Sequence, residues 1–158
     1  MNTFTKTIAM KRKNILILIL ILCCGNIMAG NRLADKGYAG SINISATPQL
    51  GLGVDITTSH GYSFGNGLWM GGGFGVSLAS EFDGAYIPVF TEAKYTFMKD
   101  QKVSPFIDCR FGVVTELERF YTLFAPSAGV DINHISIFPL YNMWSDIRTF
   151  NLGIAYSF

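Results

Sequence analysis

From Tyr38 to the last residue the chain alternates large apolar side chains with small or polar ones, and no stretch of that region carries a helical period. Because successive side chains of a strand point to opposite faces, each alternating segment predicts a strand with one apolar face. The apolar sets are Tyr38, Ile42, Ile44 and Ala46; Leu50, Leu52, Val54 and Ile56; Leu68, Met70, Phe74, Val76 and Leu78; then Ile87, Val89, Thr91, Ala93, Tyr95 and Phe97. They continue with Ile107, Cys109, Phe111 and Val113; Phe124, Ala128, Val130 and Ile132; and finally Phe150, Leu152, Ile154, Tyr156 and Phe158. Between Ile135 and Met143 the alternation is broken around Pro139, where the spacing still calls for a seventh strand. The pattern predicts an all-β chain, an antiparallel up-and-down meander of about eight strands.

Alternation alone leaves two readings open: a soluble barrel or sandwich with the apolar face inward, or a transmembrane barrel with it outward. Three features favour the membrane. The opposite face is mostly Gly, Ser, Ala and Thr, with charges on only a few neighbouring strands, as a cramped interior requires. Aromatics recur near strand ends (Tyr38, Phe64, Trp69, Tyr86, Phe97, Phe106, Phe124, Trp144 and Phe158), as in the aromatic girdles of membrane barrels. The third is the chain's beginning and end.

At the beginning, Lys6, Lys11, Arg12 and Lys13 precede an apolar run from Ile15 to Cys24, too short to span a membrane, with small residues at Ala29 and Gly30. Residues 1–29 read as a secretory signal that is removed, and residues 30–158 as the barrel. A lipoprotein is the rival, because Cys23 and Cys24 end the apolar run; Leu22 or Cys23 would then precede the modified cysteine, where a small residue belongs. The signal takes four of twelve basic residues and leaves eight against eleven acidic ones, so the remaining chain is mildly acidic and offers no basic stripe to nucleic acid. Cys109 is its single cysteine, which excludes an intrachain disulfide and a cysteine zinc site.

At the end, the strand closing on Tyr156 and Phe158 resembles the C-terminal assembly signal of bacterial outer-membrane barrels, which the insertion machinery reads from a final aromatic. Between Thr57 and Ile132 the chain also resembles a family of small outer-membrane barrels, porin-like or OmpX-like in naming, abundant in Bacteroides-type bacteria. The segments carrying this are Thr58 to Phe64, Gly71 to Gly75, Ile87 to Lys94, Ser104 to Gly112 and Phe124 to Val130. The resemblance implies a bacterial outer-membrane location and both termini in the periplasm. Turns near His60 to Asn66, Met98 to Lys102 and Asn133 to His134 would face the periplasm. Short outward loops would lie near Thr47 to Gln49, Ser80 to Ala85, Thr115 to Phe120 and Asn142 to Arg148. It also implies partners: outer-membrane lipid, lipopolysaccharide and, during insertion, the assembly machinery.

The sharpest constellation is charged. Glu92 and Lys94 on one strand and Asp108 and Arg110 on the next share a face with Asp55 and Asp131. Such a cluster is either a site or the paired polar filling of an eight-stranded barrel, whose interior is only wide enough for side chains. Filling is the simpler reading, with the glycines near Gly73 leaving room for the Lys94 and Arg110 chains. No catalytic, cofactor-binding or metal-binding set is expected. His60 near Ser59, and His134 near Asp131, are the only candidates for a lipid-modifying enzyme, and both fall near periplasmic turns. The expected function is that of an integral outer-membrane barrel with a packed polar lumen and a structural or surface-interaction role. A narrow porin-like channel is the first alternative and a lipid-modifying enzyme the second.

Overall fold

The structure, a computed structural model, describes residues 36–50, 53–79, 85–116, 119–145 and 147–158. The expected signal segment lies outside them, as does most of the expected outward loop from Ser80. Eight strands form: β1 (Lys36–Thr47), β2 (Gly53–Phe64), β3 (Leu68–Ala79), β4 (Ala85–Thr96), β5 (Val103–Glu116), β6 (Arg119–Ile132), β7 (Ile135–Trp144) and β8 (Ile147–Ser157). Each pairs antiparallel with its sequence neighbour, and β8 returns to β1, so the sheet is a closed meander barrel without free edges.

The outward face of every strand is mainly apolar. Along β8, Leu152 is 61% exposed while its neighbour Asn151 is fully buried. Ile44, Ile56, Val76, Val89, Ile107 and Ile137 stand equally outside on their own strands. A barrel in water would invert this, because exposed apolar surface of that extent is unfavourable at ~25 cal/mol per Å². A closed barrel satisfies its backbone internally and can present that surface to lipid.

Several boundaries differ from the sequence pattern. The second strand begins at Gly53, not Leu50, because Pro48–Leu50 form a 3-10 turn. The turn expected from His60 shrinks to residues 65–67, where Gly65 and Gly67 take positive φ; a Cβ on Gly67 would come within 2.4 Å of the Thr96 carbonyl. β7 extends through Asn142 to Trp144, and β5 and β6 run to Glu116 and from Arg119, so those outward connections are shorter than expected.

The seventh strand is regular. Its alternation looked broken because the inward positions Phe138 and Leu140 are as apolar as the outward Ile137, Pro139 and Tyr141. The girdle also differs. Tyr38, Phe64, Phe97 and Phe124 are outside, and the pairs Tyr62–Phe64 and Tyr95–Phe97 meet edge to face at the end that holds the termini. Trp69, Tyr86 and Phe106 instead point into the lumen, and Trp144 packs against its core.

Candidate functional site

The lumen is where charge concentrates, and strand register brings it together. β4 and β5 pair so that Glu92 faces Arg110 and Lys94 faces Asp108, both attractive; a register slipped by two would oppose Glu92 to Asp108. Arg110 Nη2 donates to Glu92 Oε1 at 3.3 Å, and Ser59 donates to Glu92 Oε2 from β2. The Arg110 Nε lies 3.7 Å from Asp108 Oδ2, which accepts from Ser127 at 3.2 Å.

Lys94 turns away from its directly opposed Asp108. Its Nζ donates to Asp131 Oδ1 at 2.7 Å and to Ser136 at 3.3 Å, while Thr96 reaches Asp131 Oδ2 at 3.2 Å. Asp55 stands apart, held by Ser45 at 3.0 Å and Asn151 at 2.7 Å, with no cation in contact among the described residues. The six charges thus form a Glu92–Arg110–Asp108 group, a Lys94–Asp131 pair and one neutral-bonded carboxylate. Neutral partners on six other strand positions, Ser45, Ser59, Thr96, Ser127, Ser136 and Asn151, complete the network. The sequence pattern held a signal for them: all share the lumen parity of the charges they bond.

Aromatic rings fill the remaining space, so the lumen is only partly polar. Phe90, Phe106, Leu123, Phe138 and Leu140 belong to one buried apolar cluster. The Arg110 guanidinium lies 5.1 Å from the Phe90 centroid and 5.8 Å from that of Phe138, and Lys94 Nζ sits 3.8 Å over Phe106, distances at which a ring face attracts a cation. The glycines serve these rings rather than the long basic chains. A Cβ on Gly73 would come within 2.6 Å of Phe90, and one on Gly153 within 2.6 Å of Phe138.

Two cavities flank this layer. One, of about 40 Å³, is lined by Glu92, Lys94, Asp108, Phe138 and Ser157 among others; the second, of about 20 Å³, by Asp55, Phe90, Leu123 and Trp144. Arg110 lines both. Each has room for water, since one water needs roughly 10–15 Å³. Asp108 Oδ1 and Arg110 Nε are buried without a hydrogen-bond partner, side by side at the larger cavity.

The histidines lie elsewhere. His60 is inside β2, not in a turn, and faces outward, whereas Ser59 faces the lumen, so the two are on opposite sides of the sheet. Both His60 ring nitrogens are bonded, Nδ1 to the Tyr38 hydroxyl at 2.6 Å and Nε2 to Thr58 Oγ1 at 3.0 Å. His134, in the turn between β6 and β7, packs on Tyr156 of β8. Among the described residues, no three His, Cys, Asp or Glu side chains gather as a metal set.

No family model matches the chain, and no curated protein matches it. Solved structures do. A de novo designed transmembrane β-barrel aligns over 83% of this chain and all of its own, with 14% identity and a TM-score of 0.52. The fold is that of a transmembrane β-barrel. The N-terminal β-barrel domain of Pseudomonas aeruginosa OprF aligns over 78% of this chain and all of its own, with 10% identity and a TM-score of 0.51. Yersinia pestis outer membrane protein Ail is 18% identical over 78% of this chain and all of its own, with a TM-score of 0.47. At these identities the similarity concerns architecture alone.

Proposed function

We propose that this chain is an integral barrel of the bacterial outer membrane with a structural or surface-interaction role and no enzymatic activity, its lumen closed by a plug of charged and aromatic side chains. The plug carries the reading: Glu92, Arg110, Phe90 and Phe138 form a layer between two small cavities. The apolar outer face of all eight strands supports the membrane setting. On this reading residues 1–29 direct export through the periplasm, Tyr156 and Phe158 signal assembly, and the surrounding partners are lipid and lipopolysaccharide. The resemblance of residues 57–132 to small Bacteroides-type barrels supports the same location.

A narrow channel for small solutes is the second reading, favoured by the cavities on both sides of Arg110. Conductance of the purified protein in planar lipid bilayers separates the two. A closed barrel gives no discrete current steps above the bare bilayer; regular steps of one size would replace the plug with a pore.

A further inference from the structure

One aromatic breaks the rule that outward positions are exposed. Phe158 follows the outward parity of Phe150, Leu152, Ile154 and Tyr156, yet it is only 3% exposed. Its backbone continues the β1–β8 ladder, with Gly40 N–H donating to Phe158 O at 3.1 Å and Phe158 N–H to Gly40 O at 2.9 Å. Its ring lies over Gly40, where a Cβ would come within 3.0 and 3.1 Å of ring carbons. The wall of this notch is His60, which meets the Phe158 ring edge-on at 6.0 Å and is itself fixed by Tyr38 and Thr58.

Gly40 is the one place on β1 where the ring fits. The other outward positions of β1 are Lys36, Tyr38, Ile42, Ile44 and Ala46, all with side chains. Slipping β8 by two residues keeps every side chain on its proper face, so hydrophobic facing cannot detect the error. Such a slip would drop Phe158 onto Tyr38 or Ile42. The β1–β8 ladder needs this help, because it spans only Ser41↔Ser157 to Ala46↔Leu152, against Lys36↔Phe64 to Thr47↔Gly53 for β1–β2, and no hairpin turn sets its register.

We propose that Gly40 and Phe158 are the register lock of the barrel seam: the terminal ring seats in the Gly40 notch only when β1 and β8 pair correctly. Seating also removes the terminal aromatic from the surface. Resting on the assembly role proposed for Phe158, this makes the signal readable before closure and hidden after it.

The test uses the full chain in a Gram-negative host, with Cys109→Ser and paired cysteines that report register by disulfide formation. Ser41→Cys with Ser157→Cys reports the native seam. Asn43→Cys with Ser157→Cys, and Ser41→Cys with Ala155→Cys, report the two slips. With Gly40 intact, only the first pair should cross-link. Gly40→Val should lower native cross-linking at least about five-fold and expose Phe158 to carboxypeptidase, because a slipped or open seam loses the ring's seat. In protein refolded in detergent, where no assembly signal is needed, adding Phe158→Ala should restore native cross-linking to within about two-fold, since the valine then fills the space the ring left. Gly72→Val, on the same outward row in β3, should leave the seam unchanged. Normal native cross-linking in Gly40→Val, failure of Phe158→Ala to rescue it, or an equal loss in Gly72→Val would each overturn the lock. Absence of the unmodified chain from the outer-membrane fraction would count against the membrane reading instead, and the cross-linking comparison would then be made on protein refolded in detergent.

Discussion

Glu92 stands directly opposite Arg110 in the β4–β5 ladder, and its carboxylate accepts from the guanidinium at 3.3 Å with both side chains buried in the lumen. Removing one member strands the other's charge, which typically costs ~3–5 kcal/mol, whereas replacing both by apolar groups is often neutral. Arg110→Met should therefore be much more destabilising than Glu92→Leu combined with Arg110→Met. Urea unfolding in detergent or lipid measures the cycle, and additive losses would show that the pair is not coupled.

The glycine–aromatic contacts make a second coupled pair. Gly153→Val should destabilise the barrel by ~1–3 kcal/mol, because the new side chain overlaps the enclosed Phe138 ring and forces it off its rotamer. Phe138→Ala, harmful alone through the cavity it leaves, should recover most of that loss when combined with Gly153→Val. The same unfolding assay checks it.

The outer belt gives a third. An arginine at Ile107 or Val89, both exposed on the apolar face, should cost ~2–4 kcal/mol at mid-depth in a bilayer. In a soluble barrel the same exposed substitutions would be nearly neutral. Unfolding from phosphatidylcholine vesicles distinguishes the outcomes.

Where the inward face is mostly small or polar, as in β3 and β8, or carries the charges, as in β4 and β5, period two fixed each strand and its facing. Charge then set the β4–β5 register, since only one even register makes both cross-strand pairs attractive. In β7 both faces are apolar, because Phe138 and Leu140 belong to the lumen core, so periodicity vanished although the strand did not. The plug was half legible: Lys94 was visible as a lumen charge, but its choice of Asp131 over Asp108 depends on three strands meeting across a closed interior. Trp69 and Phe106 look like interface aromatics by position and are lumen filling by parity. The notch at Gly40 was invisible, because nothing in a linear pattern says that the last residue lies against the first strand.

Spin labels on cysteines replacing Ile44, Val76, Ile107 and Ile154, one on each of four strands around the wall, test the membrane barrel most directly. In phosphatidylcholine vesicles all four should collide with lipid-dissolved oxygen and be shielded from a water-soluble nickel chelate. Nickel access with oxygen access no higher than in water at these positions would mean that the apolar wall does not face lipid.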